Sequence, residues 1–147
     1  MRALYLASVW LHIAAAMTWV GGMVTFVVAV MPYFRRRPES EKAAFLEWFG
    51  ARFRAIAWAC FAIIAVTGTF NLWARGVRPG DFLRPEWRAT PFGSILQIKL
   101  AAVLVAVVLS AVHERTASRG SARWMGRSLL VAAVVITVAA VMLVRAQ

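Results

Sequence analysis

The stretch ALYLASVWLHIAAAMTWVGGMVTFVVAVMPYF (residues 3–34) decides the fold. No formal charge stands between Arg2 and Arg35. A helix needs about 20 apolar residues to cross the hydrocarbon core of a bilayer, and this run is longer. A helix of a water-soluble bundle would show a polar stripe, and this one shows no charged face. The stretch therefore reads as a membrane span over 4–31, closed by Pro32. A cleaved signal peptide has an apolar core of about 7–15 residues. This run is well beyond that, so the span is expected to be retained.

The rest of the chain repeats the pattern. Further apolar runs cover 55–74, 94–113 and 128–144, and the third contains one charge, Lys99. Ser94, after Pro91-Phe92-Gly93, is the expected N-cap of the third span. The expected fold class is all-α: an integral membrane four-helix bundle forming a single domain over 1–147. Composition agrees, with 62% hydrophobic and 16% charged residues, against about 45–50% and 25% in a soluble domain. The single cysteine, Cys60, excludes a disulfide scaffold and a Cys-rich zinc module. The net charge of +11 does not point to nucleic acid. Its Lys and Arg residues sit between the apolar runs and line no helical face. Their expected partner is membrane lipid.

Charge also gives an expected orientation. Arg35, Arg36, Arg37, Lys42, Arg52 and Arg54 fall in the first loop, and Arg115, Arg119, Arg123 and Arg127 in the third. Arg75, Arg78, Arg84 and Arg88 fall in the second loop, and Arg2 and Arg145 near the termini. Ten against six places loops one and three in the cytoplasm and both termini outside. Within the first loop, Phe45, Trp48 and Phe49 share one helical face. That segment reads either as an interfacial helix or as the start of span two.

Polar groups inside a membrane are costly and usually face the bundle interior. On the first span Ser8, His12, Trp19 and Met23 form one stripe. The second carries Cys60, Thr67, Thr69 and Asn71, and the third Gln97, Lys99, Ser110 and His113. Lys99 and His113 lie about 40° apart on a helical wheel and share a face. Depth sorts these groups into an outer level (His12, Asn71, Gln97, Lys99) and an inner level (His113, Glu114, Arg54, Cys60). The two histidines fall roughly 20 Å apart along the membrane normal, too far to ligate one ion. His12 reads as a metal or haem ligand, or as a hydrogen-bonding group between helices. His113 reads as a headgroup-level residue. Met23 is a soft thioether suited to Cu(I) or a gap-filler in the core. Gly21, Gly22 and Gly68 are small residues that let helices approach, and Gly21-Gly22 beside Trp19 could leave room for a flat ligand. No span holds paired carboxylates, a Ser/His/Asp set or a phosphate loop, so no enzymatic constellation is visible.

Three local patterns occur in order: Trp10-Leu11-His12 running to Trp19-Val20-Gly21-Gly22, then Val66-Thr67-Gly68-Thr69-Phe70, then Thr90-Pro91-Phe92-Gly93 leading to Lys99. Together they resemble the membrane domain of the copper resistance protein D family. There a His and a Trp-x-Gly-Gly lie on the first helix, and a Thr-x-aromatic-Gly leads into a helix carrying a Lys. The resemblance implies copper homeostasis or copper ion transport at a bacterial-type inner membrane, with a periplasmic copper-binding protein or a larger membrane complex as partner. It points to His12, Trp19, Gly22 and Lys99. Fuller family members carry more spans, so a four-span unit would complete a pathway as a homodimer. The chain also resembles, more distantly, the HemJ-type protoporphyrinogen oxidase, through His12, Arg54, Lys99 and His113. That resemblance implies haem b, for electron transfer or for an oxidase. A third reading is a ligand-free structural subunit.

Overall fold

The computed structural model describes the backbone over residues 2–115 and 122–145, and side chains over 2–112, 128 and 131–143. Among the described residues there is no strand, and the all-α expectation holds. The helices Arg2–Phe34, Glu39–Ala74 and Pro91–Val112 are long and apolar enough to cross a membrane. Val131–Leu143 is a shorter apolar segment. The chain divides into two compact units, Met1–Gly76 and Val77–Gln147.

The first unit is a helical hairpin. Helix α1 runs over Arg2–Thr25, passes through a π-helical segment at Phe26–Val30, and continues as α2, Met31–Phe34. Pro32 therefore does not close the helix. A proline has no N–H and its ring crowds the carbonyl four residues back. The chain accommodates this by widening just before it, where the Met31 N–H bonds Phe26 O, five residues back. The helix ends one turn later, where the Arg35 N–H bonds Pro32 O at 3.2 Å.

Helix α3 covers Glu39–Ala74 without a break. Its first turn carries Glu39 and Glu41, which suit the positive end of the helix dipole. The Phe45–Phe49 segment is thus the start of the second span and not a separate interfacial helix. Phe45 stacks on Phe34 with ring centroids 4.7 Å apart, and Phe49 on Phe26 at 4.9 Å. Trp48 is left 54% exposed, with Arg52 over its ring at 4.5 Å. At the far end Gly76 takes φ +81 and its N–H bonds Trp73 O at 2.9 Å. This left-handed cap terminates the helix.

The second unit opens with a 3-10 turn, Pro79–Leu83, and a short helix α4, Pro85–Ala89. Asp81 Oδ2 accepts the Arg78 N–H at 2.8 Å and closes that turn. Helix α5, Pro91–Arg115, packs against α6, Ala122–Arg145. Small residues carry this packing: Ala106 on α5 and Ala133 on α6 are fully buried. The α5 start differs from expectation. Thr90, not Ser94, is the N-cap: its Oγ1 accepts the Gly93 N–H at 3.0 Å, and Pro91 occupies the first helical position. A Cβ on Gly93 would run into the Trp87 carbonyl oxygen, whereas a Cβ on Gly50 would meet nothing within 4 Å. Gly93→Ala is therefore expected to lower the unfolding midpoint of the detergent-solubilised protein. Gly50→Ala should leave it unchanged or raise it, by up to about 1 kcal/mol of helix propensity. Thermal or denaturant unfolding of the two variants checks the contrast.

Candidate functional site

The first two sequence patterns meet within the first unit. The stripe Ser8, His12, Trp19 on α1 faces α3. His12 is half-buried, and its Nδ1 lies 2.8 Å from Thr67 Oγ1. Thr67 Oγ1 also lies 2.6 Å from Ile63 O, one turn back on its own helix. A hydroxyl has one proton. Donated to Ile63 O, it leaves the Thr67 oxygen as an acceptor toward His12. His12 Nδ1 then carries the hydrogen, and Nε2 carries the lone pair that could ligate a metal.

Gly68 provides the space. A Cβ there would stand 3.2 Å from His12 Cε1 and 3.6 Å from Nδ1. Thr67 fixes the proton and Gly68 makes room for the ring. Sequence reasoning placed Thr67 on the span and read Gly68 as a packing residue. The signal that joins them to His12 is the run Thr67-Gly68 at matching depth on the neighbouring span.

Toward the Arg75 end of the seam from His12, the Ser8 hydroxyl donates to Thr67 O at 3.4 Å, and Arg75 Nε donates to Tyr5 Oη at 3.0 Å. Asn71 stands on α3 one turn beyond Thr67, with its Oδ1 buried and without a hydrogen-bond partner among the described residues. On the other side the seam turns apolar. Trp19 is 4% exposed and packs on Phe61, with ring centroids 4.9 Å apart. A Cβ on Gly22 would stand 2.5 Å from the Phe53 ring. The space at Gly22 is thus filled by an aromatic side chain of α3, whereas a Cβ on Gly21 would meet nothing within 4 Å. Met23 is half-buried, eleven residues along α1 from His12 and about 16 Å away at the helical rise. The two therefore cannot hold the same ion. Cys60 is buried on α3.

The third pattern belongs to the second unit. Thr90 caps α5, and Gln97 is held by two bonds: Arg88 Nε donates to Oε1 at 3.3 Å, and Nε2 donates to Gly93 O at 3.2 Å. Lys99 is half-buried on α5. Arg119 and the side chains of His113, Glu114, Arg115, Arg123 and Arg127 lie outside the described residues; the backbone of Arg123 and Arg127 belongs to α6. Among the described residues no three His, Cys, Asp or Glu side chains gather as a metal cage. Among the described residues the geometry places the His12 imidazole in a polar seam, bonded to Thr67.

Comparison with known proteins agrees with this membrane architecture. Residues 47–146 match the family model described as Copper resistance protein D. The matched segment includes Thr67, Gly68, Asn71, Gln97, Lys99 and His113, and His12 precedes it. An uncharacterized protein of Aquifex aeolicus (strain VF5) is 29% identical over 136 residues, covering 86% of this chain and 83% of its own length. No solved structure matches the chain. With more than half of its length matched by that family model, this helical membrane protein belongs to the copper resistance protein D family.

Proposed function

We propose that the protein handles copper at the inner membrane as cargo, with His12 as a transient ligand on the path. The observation that supports this reading is the oriented imidazole. Thr67 holds Nδ1–H, so Nε2 is the basic nitrogen, the arrangement that raises ligand basicity in metal sites. Family membership supplies the copper. Imidazole nitrogen is a ligand that suits copper, and Met23, on the far side of the Trp19–Phe61 packing, lies too far from His12 to share its site. Lys99 and Gln97 would line the polar interior of the second unit. A second copy of the chain, or a periplasmic copper-binding protein, would supply the remaining ligands. The Lys and Arg bias supports an orientation with both termini outside and the first and third loops in the cytoplasm, in which His12 would stand in the outer half of the membrane. A haem b reading has less support, because the family model that matches the chain is that of Copper resistance protein D.

Copper binding by purified protein and copper accumulation by cells test the reading. His12→Ala is expected to abolish the high-affinity component. Thr67→Val keeps the shape and removes the hydroxyl, and should weaken binding by about 10–100-fold, as loss of an orienting partner does. Wild-type copper binding in both variants would remove His12 from the path. An absorbance spectrum separates the alternative: a Soret band in protein expressed with ample haem would favour the haem reading. Reporter fusions after Arg36 and after Arg78 should report cytoplasm and exterior respectively.

A further inference from the structure

We propose that the α1–α3 seam holds a hydrated polar site centred on Asn71, which opens at the Tyr5–Arg75 end and ends blind at Trp19 and Phe61. Its ligand is water, and His12 is its innermost polar contact. This goes beyond the copper reading and does not depend on it.

The first observation is Asn71 Oδ1, buried and without a donor among the described residues. Buried amide groups in folded proteins are satisfied by protein or by ordered water. Turning the amide over would exchange the unpartnered acceptor for an unpartnered donor, and the requirement for a small polar partner would remain. The second observation is the seam in which Asn71 stands. Asn71 follows Thr67 by four residues and therefore shares its face, which is turned toward α1. Ser8 precedes His12 by four residues on the opposing face. Its bond to Thr67 O, at 3.4 Å, is long, so the hydroxyl retains capacity for water. Tyr5 and Arg75 stand at the accessible end of this row, where Arg75 is exposed and its side chain is bonded to Tyr5. From Tyr5 to His12 the row is about 10 Å long at the helical rise.

The third observation is the abrupt end of the row. Below His12 the α1 face presents Ala15 and Trp19, 5% and 4% exposed, against Phe61, 8% exposed. Next comes Gly22 filled by Phe53, then Phe26 stacked on Phe49. This half offers water too few polar partners, and apolar packing of this kind stays dry. Water in the seam therefore reaches His12 from one end only.

Cysteine accessibility in sealed vesicles tests this, in a Cys60→Ala background. A thiol reacts as thiolate and needs water to ionise. Single variants Ser8→Cys and Asn71→Cys are challenged with a charged, membrane-impermeant methanethiosulfonate. Ala74→Cys marks the Arg75 end, Arg36→Cys the opposite end, and Val66→Cys, exposed on the outside of α3, the lipid-facing background. Both seam cysteines are expected to react from the Ala74→Cys side only, at least about tenfold faster than Val66→Cys. Rates equal to Val66→Cys, or reaction from the Arg36→Cys side, would overturn the proposal. Should Asn71→Cys fail to insert, Ser8→Cys, a near-isosteric change, carries the test. Diethyl pyrocarbonate with mass spectrometry gives an independent reading on the unaltered chain. His12 should be modified in the folded protein and protected by Asn71→Leu, and modification of His12 only after denaturation would refute a hydrated seam. No copper enters either experiment, so a failure here and a failure of copper binding are told apart.

Discussion

The Thr67 hydroxyl has one proton, and the contact of His12 on α1 with α3 depends on where it goes. Within a lipid bilayer no bulk water repairs a misdirected hydrogen bond. Given to Ile63 O, the proton leaves Thr67 an acceptor for His12. That choice fixes which imidazole nitrogen is basic. The same residue offers its backbone carbonyl to Ser8, and its neighbour Gly68 leaves the ring its space. Two consecutive residues thus set both the protonation pattern and the fit of a side chain on another helix. An alanine at Thr67 would remove the acceptor, and any side chain at Gly68 would press on the ring.

The seam is divided along its length. One half is polar, from Tyr5 and Arg75 to His12 and Thr67. The other is aromatic, where Phe45, Phe49 and Phe53 stand one above the next on α3 with centroids 5.5–5.6 Å apart. Offset aromatic rings at such spacing attract beyond their buried area. In lipid, where apolar burial by itself gives little drive for helices to associate, such close ring contacts and the bonds around Thr67 hold the hairpin. The second unit reaches a similar end with alanines, which bring α5 and α6 close enough for backbone and methyl contacts.

Much of this was legible in the sequence, for a physical reason. A bilayer demands long runs without charge, and residues 3–34 satisfy that demand without ambiguity. The helix ends were harder, because local chemistry competes with pattern. Pro32 reads as a stop, yet a widened turn carries the chain past it. Ser94 reads as a cap, yet Thr90 has the better geometry, with proline after it and glycine where the Trp87 carbonyl approaches. The Ser8, His12 and Trp19 stripe followed from spacing alone. Its partners did not, because periodicity reports neighbours on one helix and says nothing of the helix opposite. Phe45 and Phe49 illustrate the same boundary: their shared face was readable, but whether lipid or α1 covers it was not.

The π-helical segment at Phe26–Val30 has an effect beyond admitting the proline. Phe26 and Phe34 are eight residues apart, and a regular α-helix would leave them about 80° out of line. A π-turn takes up about one extra residue, or some 100° of rotation. The two rings are thereby brought back to within about 20° of one another, and both meet α3, at Phe49 and Phe45. The widened turn acts as a phase correction. It keeps one edge of the first membrane helix in mesh with its neighbour on both sides of a proline that would otherwise have swung the last turn away.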